Sequence, residues 1–436
     1  MKVFSSERPK NSTLYRLLVG VCGLLLLLAC QPLAVPAAIS PAPATPLPTS
    51  EPTYTALAFV RDSVLYIQTP AAAVVPVEDC TGNACRIFHL IWSPAGAYLL
   101  YYWQPTAENA KPEIRLADQQ GHVQTVTQDA AFFRPATWSP DGSQLAYLVN
   151  TERFGESTAF GGSTYILELW TAEVSAGLLQ NSQQRGDVYF GEGCGGGGRS
   201  ASAEVYEVEG GFAYGYLAGI VAWSADDLIL FSNNCGSRGV GRFDLATGSE
   251  LEAYPGSLRS LSFNAAREQW VAIDEQNQLV LGTAAALDYM PVAAQEPAEL
   301  VFFGQQSGKV YYTTLTITGT QELVDVLANL DPQLFVSPYF DFTQPELRKL
   351  DLASTAEAVL TAEHGYAYAR VTEGAGGLFF AQVEDNTELL TAMQESKLTV
   401  DNYQELLPTV AVLWLPTGVT TPTVWLANAE QFTLVP

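Results

Sequence analysis

Histidine is nearly missing from this sequence: three occur in 436 residues, His89, His122 and His364, far apart and in unrelated contexts. A histidine-built metal site or histidine-rich catalytic centre is therefore not expected. Positive charge is also scarce, with 21 Lys and Arg against 46 Asp and Glu and a formal net charge of -25. A surface that negative repels phosphates, which excludes nucleic acid as a partner. A cationic partner or a metal ion would suit the charge, although solubility alone accounts for it. No apolar run approaches the roughly 20 residues needed to cross a bilayer. Gly-x-Ser-x-Gly, His-Glu-x-x-His, a P-loop and a complete dinucleotide fingerprint are all missing. The sequence accordingly yields no catalytic residue, no metal ligand and no cofactor. Its acidic residues are too numerous for a carboxylate pair to be picked without three-dimensional distances.

What is present begins at the N-terminus. Residues 1–16 hold four positive charges, Lys2, Arg8, Lys10 and Arg16. Leu17–Ala29 is then a 13-residue apolar stretch interrupted only by glycine and Cys22, the length of a signal-peptide core. It ends in Leu27-Leu28-Ala29-Cys30, which resembles the lipobox of bacterial lipoproteins: apolar, apolar, small, cysteine. The resemblance implies that residues 1–29 are a signal peptide and that Cys30 becomes a lipidated N-terminus. Two or three acyl chains on one residue attach durably to a membrane, where one is marginal. Gln31 stands where an Asp often retains Gram-negative lipoproteins at the inner membrane, so membrane and leaflet stay open. Removal of 1–29 would leave 17 basic against 45 acidic residues.

From Gln31 to Thr53 there are seven prolines in 23 residues. Such a segment cannot bury a core and favours extended polyproline II, reaching on the order of 70 Å. Residues 30–54 therefore read as a tether, and 55–436 as the folded body.

The body carries a recurring unit. Trp138-Ser139-Pro140-Asp141-Gly142, followed by Gln144-Leu145-Ala146-Tyr147-Leu148-Val149, is a strand end, a tight turn and a second apolar strand. Trp92-Ser93-Pro94-Ala95-Gly96 before Tyr98–Tyr102 is a second copy, and Trp223-Ser224-Ala225-Asp226-Asp227 before Leu228–Phe231 a worn third. Fainter copies start at Leu261-Ser262-Phe263, at Val301-Phe302-Phe303 and near Tyr366-Ala367-Tyr368. A downstream pattern also recurs: Arg242-Phe243-Asp244-Leu245-Ala246-Thr247-Gly248 compares with Leu350-Asp351-Leu352-Ala353-Ser354-Thr355. The unit resembles the repeat of TolB-type propellers and of the propellers of prolyl-oligopeptidase relatives, in full only at Trp138. The proline-rich segment leads straight into the first strands, so neither the α/β domain that precedes the TolB propeller nor the hydrolase domain of the peptidases is expected here.

The resemblance and a spacing near 40 residues imply an all-β fold, a β-propeller of four-stranded blades. Counting gives seven blades; six or eight stay open, because Leu413-Trp414-Leu415-Pro416 could begin its own. Ala56–Arg61 and Val64–Thr69 read as middle strands lacking an inner partner, which Gln431–Val435 would supply by closing the ring.

Three insertions are expected, near 150–219, 318–345 and 386–407. The first contains the glycine-rich run Gly191–Ser200, read as a surface loop because it lacks the Lys-Ser/Thr ending of a P-loop. In the second, Gln321–Leu330 suits a short helix before Pro332, and Phe335, Tyr339, Phe340 and Phe342 follow. The third predicts short helices, with Asp401 and Gln404 at capping-box spacing.

Four cysteines remain in the body, Cys80, Cys85, Cys194 and Cys235, and in an oxidising compartment an even number points to disulfides. Three pairings exist. Cys80 with Cys85 encloses the turn-forming Thr-Gly-Asn-Ala, which leaves Cys194 with Cys235. The functional expectation is a membrane-anchored, extracytoplasmic binding or scaffold propeller whose partner is another cell-envelope protein. The alternative is a propeller enzyme or binder acting on extracellular glycan or peptide.

Overall fold

The computed structural model describes residues 52–436 apart from 107–110, 131–135, 155–163, 192–218, 233–239, 315–345, 362–367, 399–405, 407–408 and isolated positions. The described body forms seven four-stranded antiparallel sheets, the blades of a β-propeller. Six blades take four strands in chain order. Their innermost strands are Cys85–Trp92 in blade 2, Ala136–Trp138 in blade 3, Gly219–Trp223 in blade 4, Arg259–Phe263 in blade 5, Ala298–Phe303 in blade 6 and Tyr368–Gly374 in blade 7. Blade 1 differs in the way expected. Its inner strand is Gln431–Val435, paired with Ala56–Arg61 in register from Ala56↔Val435 to Val60↔Gln431.

Seven blades close because neighbours share their cores. One buried cluster joins blades 1 and 2 through Leu65, Trp92 and Tyr101, and another spans blades 2, 3 and 4 around Trp138 and Phe243. Trp270 packs with Leu230 between blades 4 and 5, and Tyr312 with Val271 between 5 and 6. Tyr311 with Phe380 joins 6 to 7, and Phe379 with Phe59 brings 7 back to 1. A middle strand is thus sandwiched by neighbours on both faces, which explains runs such as Ala56-Leu57-Ala58-Phe59-Val60, all buried. The outermost strand faces water: Ser249–Leu251 in blade 4 is exposed throughout.

The repeated turn links first and second strands by one geometry. Ser93 and Ser139 accept, at Oγ, the backbone N–H of Tyr98 (3.1 Å) and Gln144 (2.9 Å). The glycine that ends each turn, Gly96 or Gly142, has a φ near +70° and donates to the carbonyl of that serine. The tryptophans tie blades together: Trp92 Nε1 donates to Thr433 O and Trp138 Nε1 to Ile91 O, both at 3.3 Å. The third-strand pattern also holds, because Asp244 and Asp351 each accept backbone N–H groups of the turn that follows.

Two readings of the sequence change, and a helix expected in the third insertion is present. Leu413–Pro416 opens no eighth blade; Val410–Pro416 is the third strand of blade 7, paired with Gly377–Val383. Thr164–Ser175 and Leu178–Gly191, assigned above to the first insertion, are the third and fourth strands of blade 3, joined at Ala176 and Gly177, both with positive φ. That conformation is the tight hairpin turn matching strand twist. The third insertion contains one described helix, Thr387–Gln394, seated by Leu389 and Met393. Residues 318–345, the Asp401–Gln404 pair and most of the glycine-rich run lie outside the described residues.

Candidate functional site

Each innermost strand pairs on one side only, so its second edge of N–H and C=O groups faces the central channel. Side chains from adjacent blades satisfy some of these groups. Gln431 Nε2 donates to Ile87 O (3.0 Å), and His89 Nε2 lies 3.3 Å from Ala136 O. Val301 and Phe303 donate their N–H groups to Ser260 Oγ and Ser262 Oγ, each at 2.9 Å. His89 and Ser260 both have positive φ and sit three residues before the ends of their strands, where the ladder is irregular. These bulges aim the two side chains across to the next blade.

The channel widens into a cavity of about 480 Å³ at the end where the repeated turns lie. Its wall includes Leu90, Ile91, Ile220, Leu261 and Phe263 among the apolar groups, and Ser93, Ser262, Asn264, Gln305 and Thr433 among the polar ones. Small-ligand sites occupy roughly 300–1,000 Å³. In a chain with 46 acidic residues, none of the described residues lining this cavity is an Asp or Glu. Among the described residues, two ionisable side chains line it, His89 and Arg267.

Arg267 occupies the fourth position of the blade 5 turn, Asn264-Ala265-Ala266-Arg267, where blades 2 and 3 have glycine. Asn264 takes over from serine, accepting at Oδ1 the N–H groups of Glu268 (3.0 Å) and Gln269 (3.2 Å). Arg267 N donates to Asn264 O (3.0 Å), as Gly96 and Gly142 do to their serines, and Arg267 has a φ of 57°. For a residue with a β-carbon this conformation costs on the order of 1 kcal/mol. The neighbouring turn makes room for it. In blades 2 and 3 a β-carbon on Gly142 would lie 3.0 Å from Pro94 Cδ. Blade 4 instead places Ala225 beside blade 5, and its N–H donates to Arg267 O at 3.0 Å, a bond proline could not make.

Arg267 is half-buried as a residue, its guanidinium lies deep among protein atoms, and it lines the cavity. Burial pushes its pKa below the ordinary arginine value. No described residue forms an ion pair or side-chain hydrogen bond with it. A second buried ionisable cluster is fully engaged in structure. Glu373 accepts from Tyr311 OH (2.9 Å) and lies 3.5 Å from Lys309 Nζ at the junction of blades 6 and 7.

Of the residues singled out by sequence, Cys80 and Cys85 are disulfide-bonded, with Cα atoms 4.8 Å apart. The bridge straddles the passage from the outer strand of blade 1, Val75–Asp79, to the inner strand of blade 2. Cys30, Cys194, Cys235 and His364 lie outside the described residues. His122 pairs with Asp118 on the surface (2.8 Å), remote in context from His89. Arg267 was not foreseen. The signal was its alignment with Gly96 and Gly142, hidden by the loss of both Pro and Gly from that turn.

No protein-family model matches the chain, and no curated protein matches it significantly. Among solved structures it is similar to an oligogalacturonate lyase from Vibrio parahaemolyticus, at 10% identity over 82% of this chain and 84% of that one, TM-score 0.48. It is similar to TolB from Acinetobacter baumannii at 13% identity, covering 70% and 62%, TM-score 0.37. An acylaminoacyl peptidase from Pyrococcus horikoshii shows 10% identity, 83% and 47%, TM-score 0.47. The chain spans between 47% and 62% of the length of TolB and of the peptidase. The fold assignment rests on the seven sheets themselves.

Proposed function

We propose that this chain is a lipid-anchored, non-catalytic binding propeller, held outside the cytoplasm through Cys30, that engages another cell-envelope protein at the mouth of its central cavity. The observation that carries this reading is the composition of that mouth. It combines ligand-sized space, hydrogen-bonding walls and Arg267, a cation with no ion-pair partner among the described residues, in a chain otherwise dominated by acid. Such groups recognise and orient. The lipobox-like Leu27–Cys30 and the proline-rich tether supply the address and the reach.

The test has two arms in intact cells. Labelled palmitate is expected in the full-length protein and not in Cys30→Ser; absence of label from both overturns the anchor. A photo-crosslinking residue replacing Ala265, exposed at the cavity mouth, is compared with one replacing Met290 on the outer strand of blade 5. Adducts with an envelope protein are expected from position 265 only. Adducts from 290 alone, or from neither, overturn the binding face.

A further inference from the structure

We infer that the mouth of the central cavity takes a small organic monocarboxylate, gripped by Arg267. The inference deepens the reading of this mouth as the binding face and names the chemistry recognised there. Arg267 holds a left-handed turn position that is glycine in blades 2 and 3 and Asp227 in blade 4, so the turn itself does not call for an arginine. Its side chain gains no described protein partner in return. Arg267, with five potential donors, lines a space walled by hydrogen-bonding and apolar groups.

A guanidinium fork matches the two oxygens of a carboxylate. One guanidinium balances one charge. A phosphate dianion would add an uncompensated charge to a chain already at -25. Leu90, Ile220, Leu261 and Phe263 offer cover for an organic body, while Ser262 and Gln305 offer further polar contacts. The carboxylate can belong to a free small acid or to the end of a partner polypeptide, and the experiment separates the two.

The full-length protein in detergent is titrated by calorimetry with a series of monocarboxylates from acetate to 3-phenylpropionate, with 3-phenylpropanamide and inorganic phosphate as controls. At least one acid is expected to bind, with the amide and phosphate each at least about tenfold weaker. Arg267→Gly, which restores the residue used in blades 2 and 3, is expected to lose at least about tenfold in acid affinity while its Tm stays level or rises. Arg267→Lys should fall between.

The inference is overturned if no acid binds up to millimolar concentration, if amide or phosphate binds as well as acid, if Arg267→Gly binds acid normally, or if Arg267→Gly lowers the Tm. Crosslinking from position 265 is then repeated in cells carrying Arg267→Gly. Loss of the adduct assigns the carboxylate to the partner, and retention alongside lost acid binding assigns it to a free acid. If the acids fail while wild-type adducts persist, the binding face stands without this chemistry.

Discussion

The backbone N–H of Ala225 donates to the carbonyl of Arg267 across the junction of blades 4 and 5, at 3.0 Å. Two departures from the repeat, Pro to Ala in one turn and Gly to Arg in the next, are therefore complementary. Ala225→Pro removes the donor and brings the ring against the β-carbon of Arg267, and should cost about 2 kcal/mol. With Arg267→Gly in the same molecule the pair returns to the Pro94–Gly142 arrangement, and the cost should shrink by at least about 0.5 kcal/mol. Chemical denaturation of the two single variants and the double variant measures that coupling; strict additivity would deny it.

Trp138 is 1% exposed and its indole N–H reaches Ile91 O in the preceding blade. Trp138→Phe keeps most of the ring but leaves that carbonyl without its donor, an expected loss of about 1–2 kcal/mol. Trp138→Ala also empties the core of the cluster shared by blades 2, 3 and 4, and should cost about 3–5 kcal/mol. A ratio near unity between the two losses would mean the ring itself contributes little.

The disulfide between Cys80 and Cys85 closes a short loop at a sequence separation of 5. Short loops lose little freedom on crosslinking, so a Cys80→Ser, Cys85→Ser variant should lose about 2 kcal/mol and remain folded. Equilibrium unfolding of wild type and double variant without reductant tests this, and a loss well above about 2 kcal/mol would contradict it.

Glu430 lies at the edge of the inner strand of blade 1, where burial first and Asp62 beside it raise its carboxyl above the ordinary value, opposed by the N–H of Ser63 at 2.7 Å. A group raised in the fold contributes stability that is full below its unfolded pKa and is lost as pH rises through the folded value. Glu430→Gln should therefore match or exceed wild type at neutral pH, with the difference vanishing towards pH 4. Asp141 has the opposite sign, because hydrogen bonds from Ser139 and Ser143 hold its carboxyl low. Its contribution is present above the ordinary value and lost on acidification below about pH 4. Thermal melts from pH 3 to 8 on Glu430→Gln and Asp141→Asn separate the two.

The legibility of this chain follows the chemistry of its turns. Trp138-Ser139-Pro140-Asp141-Gly142 contains every signal of the strand–turn–strand unit, and its copy at Trp92 was readable for the same reason. Blade 1 could be completed on paper because Ala56–Arg61 is too apolar to be an edge. Leu178–Gly191 misled because Gln180, Asn181, Ser182, Gln183 and Gln184 give it the composition of a loop, although it pairs along its length with Thr164–Ser175. Arg267 was hard to read because the turn position that is glycine in blades 2 and 3 is Asp227 in blade 4 and Arg267 in blade 5, so no single residue type marks it.

The pairing of Ala56–Arg61 with Gln431–Val435 has a temporal side. Ala56–Arg61 keeps a bare hydrogen-bonding edge until Gln431–Val435 has been synthesised. Until then the ring is an open arc, and unpaired strand edges of that kind are prone to wrong pairing. Sealing is a single late event between sites some 370 residues apart in sequence, the kind of long-range contact that folds slowly.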